Sequence, residues 1–109
     1  DNHAFDCGGG IYNRKCTSTI KYNIIHDNSA LEYGGGINCS TYAYPTINSN
    51  IIYGNHSGEG GGGINAYYDS APTILNNLIF GNSSDLLGGG ISILENASPV
   101  LKNNTLYGN

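Results

Sequence analysis

The strongest constraint on this chain is an internal repeat whose period lies in the twenties. The tetrad Gly-Gly-Gly-Ile occurs four times, starting at Gly8, Gly34, Gly61 and Gly88, so successive copies begin 26, 27 and 27 residues apart. This period is too short for a propeller blade, and glycine triplets would break the helices of helical repeats, at about 1 kcal/mol per glycine relative to alanine. The leucine-rich pattern is also absent. The spacing therefore predicts a β-solenoid in which each repeat forms one coil.

A second pattern inside each repeat places an asparagine three residues after an aliphatic residue, twice, with the two pairs five residues apart. The eight asparagines are Asn23, Asn28, Asn50, Asn55, Asn77, Asn82, Asn104 and Asn109. On stacked coils each amide would donate to one neighbour and accept from the other, which satisfies buried polar groups. The pattern predicts two buried asparagine ladders. Because asparagine tolerates the left-handed backbone region, we expect these residues to adopt it at the turns.

Each repeat also contains three short β-like segments, which in the second repeat are residues 36–38, 46–48 and 51–53. The predicted fold is an all-β, three-sided parallel β-helix over residues 1–109, with coils at about 2–28, 28–55, 55–82 and 82–109. Aliphatic columns at positions 11/37/64/91, 20/47/74/101 and 25/52/79/106 should line its interior. No capping repeat is visible, so we expect this segment to lie within a longer solenoid and to contact its neighbouring coils.

The charge balance excludes some functions for this segment. The chain has 4 lysines and arginines against 8 aspartates and glutamates, with a net charge of −4. That is too few basic residues for a surface that follows nucleic-acid phosphates. No apolar run is long enough to span a membrane. We therefore expect neither nucleic-acid binding nor a membrane span here.

Two sets of aromatic residues are candidates for ligand binding. One is a column that follows an inward aliphatic residue in each coil, namely His26, Tyr53, Phe80 and Tyr107. Strand alternation points it outward, where the rings would either stabilise the sheet by stacking or form a sugar-binding stripe. The other set is Tyr42, Tyr44, Tyr67 and Tyr68, which occupy the segments where the repeats differ most. Variation of this kind marks the side of a solenoid that recognises ligands.

An acidic column precedes the first three glycine triplets, at Asp6, Glu32 and Glu59. Stacked carboxylates repel unless they are solvated or bridged by a cation such as Ca²⁺, so the column is either a wet turn or a cation site. No carboxylate pair or cluster of acid and base has the convergence that catalysis needs. The sequence therefore assigns no catalytic residue and no required cofactor.

These motifs resemble those of the pectate-lyase-like right-handed β-helix superfamily. They are most similar to the repeats of bacterial polymorphic outer-membrane proteins, which carry a Gly-Gly-Ala-Ile-type tetrad and a Phe-x-x-Asn tetrad. Here the first reads Gly-Gly-Gly-Ile, and the second has an aliphatic residue in place of phenylalanine, as in Ile52-Tyr53-Gly54-Asn55. The resemblance implies a right-handed coil and an extracellular or cell-surface location, and it carries no catalytic residue.

We therefore expect a structural or binding segment of an extracellular β-solenoid, of the adhesin or passenger type. Its variable loops would contact a polysaccharide or a surface protein. The alternative is a non-catalytic part of a polysaccharide-acting enzyme, such as a pectate-lyase-like lyase, a glycoside hydrolase or an epimerase. The fold alone does not separate these functions.

Overall fold

The computed structural model describes residues 1–109 and contains sixteen short strands and no helix. The strands are β1 His3–Ala4, β2 Ile11–Arg14, β3 Thr19–Lys21, β4 Ile24–His26, β5 Ser29–Ala30, β6 Ile37–Ser40, β7 Thr46–Asn48, β8 Ile51–Tyr53, β9 His56–Ser57, β10 Ile64–Tyr67, β11 Thr73–Leu75, β12 Leu78–Phe80, β13 Ser83–Ser84, β14 Ile91–Ile93, β15 Val100–Lys102 and β16 Thr105–Tyr107. With no helix present, no helical segment is long and apolar enough to cross a membrane.

The strands form four parallel sheets that run the length of the molecule. Sheet A contains β2, β6, β10 and β14, and sheet B contains β3, β7, β11 and β15. Sheet C contains β4, β8, β12 and β16, and sheet D contains β1, β5, β9 and β13. Every strand pairs with the strand one coil away, so the predicted parallel β-solenoid of about four coils is confirmed. Sheet D adds a two-residue strand to the three expected in each coil, because so short a segment carries no readable alternation.

The predicted aliphatic columns line the interior. Ile25, Ile52 and Ile79 are in direct register across sheet C. In the two middle coils the inward isoleucines are completely buried, whereas Leu101 and Leu106 of the fourth coil are 44% and 45% exposed. The core is therefore a stack of similar aliphatic layers, and only the middle layers are covered on both sides.

The predicted asparagine ladders are present and buried. Asn55 shows the pattern: its Oδ1 accepts from the backbone N–H and the Nδ2 of Asn28, at 3.1 and 3.0 Å. Its Nδ2 donates to Ile25 O at 3.0 Å and to Asn82 Oδ1 at 2.9 Å. The second ladder repeats this arrangement through Asn50. Each ladder thus bonds neighbouring coils through side chain and backbone together.

One expectation about the ladders is wrong. The ladder asparagines do not take the left-handed conformation; the residue before each of them does, with φ between 53° and 62°. These residues are Tyr22, Asp27, Ser49, Gly54, Asn76, Gly81, Asn103 and Gly108. The left-handed residue makes the turn, so the following asparagine keeps an ordinary φ and bonds the next coil with both its backbone N–H and its amide.

The glycine triplets are required by close packing between coils. A Cβ on Gly36 would lie 2.6 Å from Gly63 O and 3.1 Å from Asn55 Nδ2. Both distances are too short for a methyl group unless the neighbouring coil moves. The third glycine of this triplet therefore allows its coil to pack closely against the next coil and against the ladder residue Asn55.

Candidate functional site

Side chains on the outer face of sheet A form a third polar row across the coils. Asn65 Nδ2 donates to Asn38 Oδ1 at 2.7 Å, and Ser92 Oγ donates to Asn65 Oδ1. The row alternates with the inward isoleucines and so points away from the core. A Cβ on Gly34 would lie only 2.6 Å from Asn38 Cβ, so the glycine turn covers this position. That cover explains why Asn38 is only 1% exposed.

A groove of about 490 Å³ lies over the outer face of sheet A, on strands β2 and β6. We call it the sheet-A groove, and its lining includes Asp6, Tyr12, Arg14, Glu32, Asn38 and Tyr67. Tyr12 is in register with Asn38, and Arg14 with Ser40. The Tyr12 hydroxyl lies 3.3 Å from Ser40 Oγ. The volume falls within the range typical of ligand sites, about 300–1,000 Å³.

Two of the three acidic residues predicted as a column, Asp6 and Glu32, stand at one end of this groove. Asp6, Cys7 and Glu32 bring their ligand atoms within 4.8 Å of one another. Hydrogen bonding to Asp6 raises the pKa of Glu32, whereas burial, with a hydrogen bond to Asp6, raises the pKa of Cys7 to about 12. Glu59 follows on the next coil, where its backbone N–H donates to Glu32 O at 2.8 Å. Hydrogen bonding to the Glu59 carboxylate raises the pKa of Tyr33 to about 12.

The Ca²⁺ role predicted for this column stays a prediction. Ca²⁺ takes about 6–8 oxygen ligands, and the Asp6 and Glu32 carboxylates supply only part of such a set. The third close group is the Cys7 thiol, whose sulfur is a soft ligand that suits transition metals better than Ca²⁺. The donor set is therefore a poor match to a dedicated Ca²⁺ site.

The charges at the sheet-A groove are not neutralised within the protein. The two salt bridges join His26 to Asp27 and His56 to Asp85, away from this groove. Arg14 is exposed at the end of β2 and takes part in neither. The carboxyls at one end of the groove likewise have no Lys or Arg partner. Both kinds of charge therefore face solvent, where a ligand can reach them.

The tyrosines predicted from the variable segments lie together beside this groove. They are Tyr42, Tyr44, Tyr67 and Tyr68, and together with Tyr33, which was not predicted, we call them the tyrosine surface. Tyr33 stacks on Tyr67 with ring centroids 5.3 Å apart and planes 14° from parallel. Tyr67 and Tyr68 lie 6.1 Å apart, and Tyr68 meets Tyr42 at 6.5 Å, edge to face. The tyrosine surface therefore continues from the wall of the sheet-A groove onto the loops.

A second groove, of about 420 Å³, lies at the far end of the tyrosine surface. Its lining consists of Lys15, Cys16, Thr17, Tyr42 and Tyr44, and we call it the loop groove. The rings of Tyr42 and Tyr44 are about half exposed, at 49% and 48%. Large aromatic rings that are this open contribute little to the core and are available for contact with a ligand.

The other predicted aromatic set is arranged differently. The rings of His26, Tyr53, Phe80 and Tyr107 stack across sheet C with centroids 5.0, 5.1 and 5.1 Å apart and planes within 9° of parallel. Each inner ring therefore has both faces covered by its neighbours and presents an edge to solvent. The binding role of Tyr53, Phe80 and Tyr107 stays a prediction, and the stack itself stabilises sheet C.

Several groove residues that the proposals use were not predicted from the sequence, namely Tyr12, Arg14, Tyr33 and Asn38. A signal for Asn38 was available, because asparagine follows Gly-Gly-Gly-Ile in both middle repeats, at Asn38 and Asn65. Tyr33 directly precedes a glycine triplet but has no tyrosine at the equivalent position of other repeats. Only the folded coil brings it onto Tyr67, which lies 34 residues later in the chain.

Comparison with known proteins identifies the family of the chain but no individual relative. No curated protein and no solved structure matches it. The sequence model of one protein family, described as the right-handed β-helix region, matches residues 1–109, which is the entire chain. That description agrees with the four stacked parallel sheets and the buried asparagine ladders. The chain therefore belongs to the right-handed β-helix family.

Proposed function

We propose that this chain is a glycan-binding segment of an extracellular or cell-surface β-helix, and that the tyrosine surface is its contact area. The observation that carries the proposal is a run of four contacting tyrosine rings between the two grooves, with Tyr44 next to the last of them in the lining of the loop groove. The buried isoleucines and asparagines hold the fold without them. Their clustering on the most variable part of the coil therefore favours recognition over packing.

A glycan suits this surface chemically. Tyrosine offers a rigid apolar ring and a polar hydroxyl at low cost in side-chain entropy. Sugars present apolar C–H faces to such rings and hydroxyl groups to the polar side chains around them. In the sheet-A groove those polar groups are Asn38, Arg14 and the Asp6–Glu32 pair. Rings and hydrogen-bonding groups on one concave face are the usual composition of a small-ligand site.

The proposed location is supported by the motifs that resemble the repeats of polymorphic outer-membrane proteins. An adhesin or passenger segment would use the coils for length and the tyrosine surface for contact. Labelling intact source cells with an antibody raised against residues 1–109 tests this location. Staining of intact cells is expected, whereas staining only after permeabilisation would contradict an exposed location.

The binding proposal is tested on a glycan microarray with a triple variant, Tyr42→Asn/Tyr44→Asn/Tyr68→Asn. Asparagine is chosen because Tyr42 and Tyr68 have φ of 57° and 49°, which asparagine adopts readily. Wild-type protein should bind a defined set of glycans, and the triple variant should lose most of that signal. Unfolding curves of both proteins show whether the variant keeps its fold.

Tyr22→Asn is the matched control. Tyr22 is 76% exposed, lies outside the tyrosine surface and also has φ of 57°. Its column holds asparagine in later coils, at Asn76 and Asn103, so the substitution suits the backbone. We expect unchanged glycan binding. Loss of signal in this variant, or full signal in the triple variant, would contradict the role of the tyrosine surface.

The sheet C stack is tested on the same array with Tyr53→Ser/Phe80→Ser/Tyr107→Ser. Because the ring faces in this stack are already in contact with one another, we expect binding to be retained in the folded fraction. Loss of binding in a folded triple variant would move the contact area from the tyrosine surface to the stack. If no glycan binds wild-type protein, a surface-protein partner becomes the leading hypothesis.

A further inference from the structure

The sheet-A groove contains two carboxyls that lack a cation. Asp6 and Glu32 lie side by side, with their oxygens within 4.8 Å, and neither forms a salt bridge. Their closeness is unfavourable when both are ionised, because like charges at this separation repel. A cationic group placed between them would remove that repulsion and would donate hydrogen bonds to both carboxylates. The chain as a whole has a net charge of −4, which also attracts a cation.

Asn38 provides a second and independent indication of a ligand in the same groove. Its Oδ1 accepts from Asn65 Nδ2 at 2.7 Å, so its own Nδ2 is directed the other way, toward the first coil. In that coil the residue in register is Tyr12, which has no amide to continue the row and instead bonds Ser40. Asn38 Nδ2 therefore has no hydrogen-bond partner, although the residue is only 1% exposed and lines the groove.

The fully buried side-chain atoms that lack a partner are Asn13 Nδ2 and Ser57 Oγ, so Asn38 Nδ2 is not fully enclosed and reaches the groove. Because polar groups this close to full burial are nearly always hydrogen-bonded, its partner must come from the groove. In the other coils the row is satisfied internally, from Ser92 through Asn65 to Asn38. The open position is thus where the groove lies, and a ligand oxygen there would complete the row.

We infer that the sheet-A groove binds an amino-sugar oligomer, with a protonated amine between Asp6 and Glu32 and a sugar oxygen accepting from Asn38 Nδ2. This inference rests on the proposed glycan-binding function and names the glycan class. An ammonium group has three N–H donors and no acceptor, which matches a pair of carboxylates. Tyr67 supplies the apolar wall, and Arg14 at the other end donates to hydroxyl oxygens.

An acidic sugar oligomer fits this groove less well. Its carboxylates would meet Asp6 and Glu32 at one end and find only Arg14 at the other. A neutral N-acetylated sugar would leave the carboxyl pair without a cation. The charge pattern therefore predicts that the cationic oligomer binds better than a neutral or an acidic oligomer of the same length.

The test is calorimetric titration of residues 1–109 with three tetrasaccharides, namely those of glucosamine, N-acetylglucosamine and galacturonic acid. At pH 6 the amine is protonated, because its pKa lies above this value as for other amines. We expect the glucosamine tetramer to bind at least tenfold tighter than either of the others. Equal or tighter binding of the N-acetylated or acidic tetramer would overturn the inference.

Two variants of equal charge locate the binding. Glu32→Gln should weaken the glucosamine tetramer about tenfold and leave the N-acetylated tetramer unchanged. Asp27→Asn removes the same charge from an exposed position outside the groove and should change neither. If both variants weaken the glucosamine tetramer equally, the tetramer is attracted only by the net charge of the protein. That result would contradict binding between Asp6 and Glu32.

Asn38→Ser tests the second contact. Serine already occupies this row at Ser92, so the substitution is compatible with the sheet while withdrawing the amide donor from the groove. All bound tetramers should weaken several-fold, and unchanged affinity would overturn the role of Asn38. If other glycans bind through the tyrosine surface without preference for an amine, only this inference fails. If no glycan binds at all, the proposed function fails with it.

Discussion

At the scale of single residues, the fold depends on side chains that bond along the solenoid axis. Asn55 is completely buried and accepts two hydrogen bonds through Oδ1 from the coil before it. Its amide donates to two backbone carbonyls and to the next ladder residue. No other polar side chain could fill all these roles in the same space, because they require an acceptor and two donors on one planar group.

Replacing Asn55 by leucine should therefore be severe. The substitution leaves the N–H groups of Asn28 without partners and removes the amide that donates to Ile25 O, and we expect a loss of about 3–5 kcal/mol in the free energy of unfolding. Urea denaturation measures the change. The matched control is Asn48→Leu, in a column where Leu75 is the residue in register, and it should cost less than about 1 kcal/mol. Similar losses in the two variants would contradict the ladder's role.

Glu32 gives a pH-dependent prediction. Hydrogen bonding to Asp6, with burial and the charges of Asp6 and Glu59, raises its pKa above the ordinary 4.5. The folded protein therefore holds this proton to higher pH than the unfolded chain, so stability falls as pH rises from 4.5 through the raised value. The Glu32→Gln variant should not show this loss. The melting temperature of the variant relative to that of wild type should therefore increase from pH 4 to pH 7. A difference in melting temperature that does not vary with pH would contradict this prediction.

At the scale of elements, each strand has only two to four residues and is stable only within its sheet. Parallel pairing with register fixed by the repeat places like residues opposite each other in every sheet. On sheet C this produces the ring stack, and on the outer face of sheet A it produces the Asn38–Asn65–Ser92 row. The same stacking thus creates a structural column on one side and an incomplete polar row on another.

The ring stack should contribute measurably to stability. Tyr53 stacks on His26 and on Phe80, so Tyr53→Ser removes two ring pairs, and we expect a loss of about 1–3 kcal/mol. Tyr107 stacks only on Phe80, so Tyr107→Ser should lose about half as much. Urea denaturation of the two variants compares them. An equal or larger loss at Tyr107 would show that the rings do not act as a continuous stack.

At the scale of the whole molecule, the features that recur in every repeat are the ones that could be predicted from the sequence. The inward isoleucines and ladder asparagines recur in every coil, and their columns were predicted because a repeated constraint is visible in one sequence. The left-handed residues were misplaced by one position, although glycine before Asn55, Asn82 and Asn109 was a signal for the correct one. The sheet-A groove was missed, because it depends on residues that break the repeat.

Tyr12 and Tyr33 illustrate why the site is harder to predict than the fold. Tyr12 stands where later coils have asparagine or serine, and this single departure leaves Asn38 without a partner. Tyr33 contacts Tyr67 only because the solenoid stacks their two successive repeats on each other. Such contacts depend on side-chain direction in the folded solenoid, which sequence spacing does not specify.

The most direct test of this account is nuclear Overhauser spectroscopy on protein labelled at isoleucine methyl groups and asparagine side-chain amides. The account predicts cross-peaks between residues 27 apart, from Ile25 to Ile52 to Ile79 and from Asn28 to Asn55 to Asn82. The side-chain amide protons of Asn55 and Asn82 should also exchange slowly with solvent. Contacts confined to neighbours in sequence, with rapidly exchanging asparagine amides, would contradict the stacked coil on which every proposed site depends.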